Sequence, residues 1–138
     1  MIADFNGDHR PDLFIADHGD DHSPFPGYQN TLILSAPGGK LVDATANLPQ
    51  AYDFTHSVAT ADVNGDGTTD LYVGNIYGAN HVPPEVLLND GRGHFTVGNG
   101  LLPASVTSLY GAVHRKWLSG RQRRRASRPR AQRRIVAV

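Results

Sequence analysis

The sequence predicts an all-β protein that repeats one four-stranded antiparallel unit. Short runs of β-branched and aromatic residues recur between turns, and residues 1–114 show no apolar spacing of helical period. Gly, Pro, Asn and Asp interrupt these runs throughout. The unit occurs twice, with its Asp-rich loops 58 residues apart. A repeat of this length with four short strands is typical of a β-propeller blade, so we expect about two blades of an incomplete propeller.

The predicted strands occupy corresponding places in the two copies. In the first copy they are Leu13–Ala16, Thr31–Leu34 and Lys40–Asp43; in the second they are Thr55–Ala61, Leu71–Gly74, Glu85–Leu88 and His94–Val97. A Gly-bearing turn joins the last two strands of each copy, which predicts a hairpin. Only Met1–Ala3 precede the first loop, so we expect the first strand of the first copy to be short.

These correspondences divide the chain into four segments. Residues 1–54 form a first repeat that is truncated at its N-terminus, and residues 55–105 form a second repeat. Residues 106–113 are predicted to be the first strand of a third repeat. Residues 114–138 form an Arg-rich tail with a disordered or irregular structure.

Each copy contains a loop rich in Asp and Asn just before a predicted strand. Asp occupies loop positions 1, 5 and 9, Asn occupies position 3, and we expect the backbone carbonyl of position 7 to join them. The predicted ligands are Asp4, Asn6, Asp8, Arg10 and Asp12 in the first loop and Asp62, Asn64, Asp66, Thr68 and Asp70 in the second. Oxygen donors at every second residue are the pattern of a calcium-binding loop.

Turns alone could also explain such Asp-Asn-Gly runs, but their recurrence at one period favours calcium. Position 12, where an EF-hand has a bidentate Glu, is Ile15 or Val73, so we expect weak binding, on the order of 10⁻⁴–10⁻³ M. Position 6 commonly needs a positive φ; it is Gly67 in the second loop but His9 in the first. Leu13 and Leu71, which follow the loops, are expected in the core.

The motif Asp-x-Asn-Gly-Asp-x-x-x-Asp-Leu, followed by the hairpin Leu-Leu-Asn-Asp-Gly-x-Gly-x-Phe, resembles the FG-GAP/VCBS repeats, which are the blades of integrin-α-like β-propellers. The resemblance extends from residue 1 to about residue 113. It implies a Ca²⁺ ion in the loop between the first two strands of a blade, an extracellular or cell-surface location, and a role in adhesion or glycan binding. The chain departs from the family in size, because propellers have typically four to eight blades.

The composition argues against several classes of protein. The chain has no cysteine, no apolar run long enough to span a membrane, and no visible signal peptide. It also lacks a nucleophile elbow and a phosphate-binding loop, so we expect no enzyme activity. The segment His18–His22 could be a transition-metal cluster, but a polar linker is the favoured interpretation. Asp43 and Asp53 are expected at the surface.

Charge is divided unevenly along the chain. Residues 1–114 contain three basic and thirteen acidic residues, whereas residues 115–138 contain ten basic residues and no acidic one. The tail could bind nucleic acid, could be disordered, or could be the product of a shifted reading frame. In the shifted frame its codons allow Asp-Val-Asn-Gly-Asp-Gly-Arg-Pro-Asp-Leu-Val, a third calcium loop 58 residues after the second. The DNA sequence tests this hypothesis.

Three functions follow from these observations. The favoured one is a calcium-binding repeat fragment that acts as an interaction module for an unknown protein or glycan and that needs further blades or self-association. The second is nucleic-acid binding through the tail. The third is a non-catalytic part of a larger secreted enzyme.

Overall fold

The computed structural model describes residues 1–76, 82–103 and 106, which form two four-stranded antiparallel sheets. Blade 1 has the strand order β1-β2-β3-β4 and blade 2 has the order β5-β6-β7-β8. The strands are β1 Ile2–Ala3, β2 Asp12–Ile15, β3 Thr31–Ala36, β4 Lys40–Asp43, β5 Thr55–Ala61, β6 Asp70–Asn75, β7 Glu85–Asn89 and β8 Phe95–Val97. Short 3-10 helices occur at Thr45–Asn47 and Asn99–Leu101, and the described residues contain no α-helix. The all-β prediction is confirmed.

The predicted strands agree with the observed ones to within one or two residues. Strands β4 and β5 have the predicted bounds, and β1 is only two residues long. The predicted strand at 106–113 and the tail at 114–138 lie outside the described residues, apart from Val106. Within the described part of the chain, no helix has the length and hydropathy of a membrane span.

One hydrophobic core is shared by the two blades. Its buried members are Phe5, Phe14, Leu32, Leu48, Leu71, Val73, Leu87 and Phe95. The rings of Phe5 and Phe95, which come from different blades, meet edge to face with centroids 5.7 Å apart. Because both blades contribute buried side chains, the core holds them together as well as covering one face of each.

Leu71 lies in this core as predicted, but the prediction for Leu13 was wrong. Leu13 is only half-buried, and its neighbour Phe14 is fully buried instead. Side chains alternate between the faces of a strand, so Leu13 and Phe14 lie on opposite sides of blade 1. Leu13 and Leu71 occupy equivalent positions in their blades. The side of blade 2 that carries Leu71 faces blade 1, whereas the side of blade 1 that carries Leu13 faces away from blade 2.

A buried polar network lies where the linker before β3 meets the start of β5. The Asn30 side-chain amide donates to the Asp53 carboxylate at 3.2 Å and to the Thr55 hydroxyl at 3.1 Å. The Thr55 hydroxyl donates to the Asn75 carbonyl oxygen at 2.8 Å. The expected surface position of Asp53 was therefore wrong, because its backbone pairs with Tyr28 and places its side chain in this network. Burial raises the pKa of Asp53, and a hydrogen bond from Asn75 opposes that rise.

Candidate functional site

The two Asp-rich loops have the same backbone form. Positions 4 and 6 have positive φ in both: Gly7 (76°) and His9 (62°) in the first loop, Gly65 (81°) and Gly67 (86°) in the second. Only one of these four residues carries a side chain, and a non-Gly residue adopts this conformation at some cost. The expected conformation at His9 is confirmed, so the first loop keeps the turn although it lacks the second glycine.

The Asp at position 1 organises the backbone of each loop. The Asp4 carboxylate accepts three backbone N–H groups, from Gly7 at 2.8 Å, Asp8 at 3.2 Å and His9 at 2.9 Å. The Asp62 carboxylate accepts the equivalent three, from Gly65 at 2.7 Å, Asp66 at 3.1 Å and Gly67 at 3.0 Å. Successive N–H groups that converge on one carboxylate hold each loop in a closed curve.

Positions 3 and 5 are paired in both loops. The Asn6 amide donates to the Asp8 carboxylate at 3.1 Å, and the Asn64 amide donates to the Asp66 carboxylate at 2.7 Å. In return, each Asp donates its backbone N–H to the side-chain oxygen of the same Asn, at 3.1 Å and 3.0 Å. The Asn and Asp side chains of each loop are thereby held next to each other.

The residue at position 7 makes the two loops differ. In the first loop the Arg10 guanidinium forms an ion pair with the Asp8 carboxylate at 2.7 Å. In the second loop the Thr68 hydroxyl and N–H both donate to Asp66, at 2.6 Å and 2.8 Å. The Thr68 hydroxyl and N–H, together with the Asn64 amide, lower the pKa of Asp66, so this exposed carboxyl stays ionised.

The Asp at position 9 has a structural role that the sequence did not reveal. Asp12 and Asp70 are buried, and each uses its two oxygens on two backbone N–H groups. Asp12 accepts from Phe5 and Ser35, both at 2.8 Å. Asp70 accepts from Val63 and Asn89, both at 2.9 Å. Each of these carboxylates therefore ties its loop to the third strand of the same blade.

The donor set suits calcium in its chemistry, because every side-chain ligand is a hard oxygen. The structure brings positions 3 and 5 together, but the carboxylates of positions 1 and 9 are engaged with backbone N–H groups. Among the described residues, no three Asp, Glu, His or Cys side chains form a cluster that could hold a metal ion. The loops in this structure are thus closed by their own hydrogen bonds.

The two loops lie next to each other across a cleft of about 310 Å³. A methyl group added at Gly7 would lie 3.3 Å from the carbonyl oxygen of Gly91, so the blades approach closely here. Asn89 joins them: its amide donates to the carbonyls of Phe5 at 2.8 Å and Thr69 at 3.0 Å. The cleft is lined by Asp4, Phe5, Gly7, His9, Gly67, Thr68, Thr69, Asn89 and Gly91.

Asn89 was not predicted as a functional or structural residue. In the sequence, the turn Asn89-Asp-Gly-Arg-Gly93 could have indicated its structural role. In the structure, the Asn89 side-chain oxygen accepts hydrogen bonds from the N–H groups of Gly91 and Gly93. Asn and Asp commonly make this bond to the backbone two residues later. The corresponding turn of blade 1 has no Asn, so the internal repeat does not mark this position.

The histidines of the predicted linker have different partners. His22 contacts the Asp20 carboxylate at 2.6 Å on the exposed surface. His18 instead stacks on His56, with ring centroids 5.0 Å apart and planes inclined by 17°, and both rings lie near Phe54. Burial and then the neighbouring His18 lower the pKa of His56, while Asp21 opposes the shift. No motif or spacing in the sequence predicts this pair.

Comparison with known families identifies a match between residues 4–73 and the FG-GAP-like repeat. The match covers just over half of the chain and contains both Asp-rich loops. The chain belongs to the FG-GAP-like repeat family. The resemblance inferred from the motifs is confirmed, and the two sheets are blades of a β-propeller type of repeat. Searches of the curated proteins and of the solved structures find no match to this FG-GAP-like chain.

Proposed function

We propose that this FG-GAP-like chain is an interaction module whose two Asp-rich loops bind calcium weakly, as structural ions, and that it is not an enzyme. The observation that carries the proposal is the equivalence of the loops. Two segments 58 residues apart adopt the same backbone form and the same hydrogen bonds around positions 1, 3 and 5. A simple turn would not require Asp at position 5, whose carboxylate is exposed or half-exposed in both loops.

The residues that would hold calcium are Asp4, Asn6, Asp8, Asp12 and the Arg10 carbonyl in one loop, and Asp62, Asn64, Asp66, Asp70 and the Thr68 carbonyl in the other. Calcium would supply a double positive charge that offsets the carboxylates of a loop. The buried Asp12 and Asp70 would transmit that order to the third strand of each blade through the backbone bonds they already make.

The two sites should differ in affinity. In the first loop the Arg10 guanidinium occupies the Asp8 carboxylate, so a cation must compete with an existing positive charge. In the second loop the partner of Asp66 is the neutral Thr68. The second loop should therefore bind calcium more tightly than the first, and the substitution Arg10→Thr should narrow the difference.

The cleft between the loops is the proposed place for a protein or glycan partner. It lies where both loops and the turn after Asn89 meet, so ordering the loops would also fix the shape of the cleft. Small-molecule sites are concave and combine a largely preformed wall with a few polar groups. An extracellular or cell-surface location belongs to the same proposal, because weak calcium sites are suited to the higher calcium concentration outside cells.

NMR titration of the labelled chain tests the calcium proposal residue by residue. Calcium at millimolar concentration should shift the amide signals of Gly65 and Gly67 first and those of Gly7 and His9 at higher concentration. In Asp66→Ala the second-loop signals should stop responding while Gly7 still responds. Identical small shifts with calcium and with magnesium at equal ionic strength, spread over the whole chain, would contradict the proposal.

A further inference from the structure

Two exposed tyrosines contact each other at the end of the blades opposite the Asp-rich loops. Successive strands of a blade run in opposite directions, so these loops lie at one end and the connecting segments 16–30 and 44–54 lie at the other. Tyr28 comes from the first segment and Tyr52 from the second, and their rings meet at 90° with centroids 6.2 Å apart. Tyr28 is 56% exposed and Tyr52 62%. This tyrosine pair is therefore separate from the cleft between the loops.

The backbone holds the tyrosine pair in place. Tyr28 and Asp53 form an antiparallel bridge in which each N–H donates to the carbonyl of the other residue, at 2.9 Å and 3.2 Å. A methyl group added at Gly27 would lie 2.5 Å from the carbonyl oxygen of Asp53 and 2.7 Å from that of Tyr52, so the two segments are closely packed here. A Tyr side chain has only two rotatable angles and loses little entropy on binding. The two rings therefore form a largely preorganised surface, which lowers the cost of binding a ligand.

The charges at this end of the blades have one sign. Its described connecting segments contain no Lys or Arg and four acidic residues, Asp17, Asp20, Asp21 and Asp53. The basic residues of the described part of the chain, Arg10, Lys40 and Arg92, lie in or beside the loops and turns of the opposite end. Asp53 is only 4% exposed, and its Oδ1 atom has no hydrogen-bond partner among the described residues. The summed field of these carboxylates attracts a cation to the tyrosine pair and disfavours an anion.

We propose that the tyrosine pair binds a quaternary ammonium group. The face of an aromatic ring attracts a cation that lies within about 6 Å of the ring centroid. Because the rings of Tyr28 and Tyr52 are perpendicular, a group in the corner between them contacts a face of each. A methylated ammonium suits this corner, since it combines a positive charge with an apolar surface and holds its water less strongly than the compact ammonium of Lys. The group could belong to a small molecule or lipid headgroup of the choline type, or to a trimethylated lysine of a protein partner.

NMR titration of the labelled full chain with choline tests the proposal, at about pH 7.5, where histidine is largely neutral. Choline should shift the amide signals of Tyr28, Tyr52 and Asp53. Its neutral isostere 3,3-dimethylbutan-1-ol should bind about fivefold more weakly or worse, because it has the same shape but no charge. Raising the salt concentration from about 20 mM to about 300 mM should weaken the binding of choline and leave that of the isostere unchanged.

Substitutions of each tyrosine separate the role of the ring from that of its hydroxyl. Tyr28→Leu and Tyr52→Leu should each weaken the binding of choline by about two- to fivefold, because each removes one ring face. Both residues are more than half exposed, so the fold should tolerate either change, which far-UV circular dichroism checks. The matched controls Tyr28→Phe and Tyr52→Phe keep the rings and should keep the affinity.

An acetylated trimethyllysine amide distinguishes the two sources of the ammonium group. If this amide binds more tightly than choline, the proposal is supported with a methylated protein segment as the source. If it binds no more tightly than choline, the proposal is supported with a small molecule or headgroup as the source. Equal affinity for choline and its neutral isostere would overturn the proposal. Signal shifts that leave Tyr28 and Tyr52 unaffected, or equal losses of affinity in Tyr52→Phe and Tyr52→Leu, would also overturn it.

Discussion

The buried carboxylate of Asp70 should be a main source of stability even without calcium. Its two oxygens accept the backbone N–H groups of Val63 and Asn89, both at 2.9 Å, and its side chain is fully buried. Hydrogen bonds to a charged group contribute about 1.5–3 kcal/mol each, so Asp70→Ala should lower the free energy of unfolding by about 3–6 kcal/mol. A loss of that size is a large part of the stability of a small domain, which is about 5–15 kcal/mol.

Urea unfolding in the presence of a calcium chelator, monitored by far-UV circular dichroism, measures this loss of stability. Asp12→Ala should give a loss of similar size, because Asp12 holds Phe5 and Ser35 in the same way. The matched control is Asp66→Ala in the same loop, whose carboxylate is exposed and contacts only neighbouring loop residues. If Asp70→Ala and Asp66→Ala lowered the free energy of unfolding equally, the buried Asp70 would have no special structural role and the reasoning would be refuted.

Two further predictions concern the contact between the blades and the histidine pair. Asn89→Ala removes the amide that joins Phe5 to Thr69 and should lower the free energy of unfolding by about 2–4 kcal/mol, which urea unfolding measures against the control Asn47→Ala. Stability should also fall as the pH drops below about 6.5, since the lowered pKa of His56 means that the unfolded chain binds a proton that the folded chain does not. His56→Gln should flatten this dependence in unfolding measured between about pH 5 and about pH 7.5, whereas an unchanged slope would show that burial and His18 do not lower the pKa of His56.

The local pattern of the sequence was sufficient to predict most of the fold. The strand bounds, the hairpins and the positive φ at His9 follow from alternation, turn residues and the spacing of the two copies. These features depend on neighbours in the chain, so one sequence contains enough information to predict them.

The errors arose where the outcome depends on packing between distant segments. Leu13 and Leu71 have equivalent local sequences, and only the order in which the blades stack decides which of them is buried. Asp53 became buried because Tyr28, 25 residues earlier, pairs with its backbone. Asn89 contacts Phe5 across 84 residues, and His18 stacks on His56 across 38. No periodic pattern in the sequence predicts any of these contacts.

The calcium dependence of thermal unfolding tests the central claim most directly. At free calcium about ten times the dissociation constant, each site should add about 1.4 kcal/mol to the free energy of unfolding. Two such sites should raise the unfolding midpoint by about 10 °C or more, given about 4–8 °C per kcal/mol for a folded region of about 100 residues. We predict that this rise begins near millimolar calcium, continues by about the same amount for each further tenfold increase in calcium, and is at least halved in Asp66→Ala. An identical midpoint in calcium and in chelator would contradict the account.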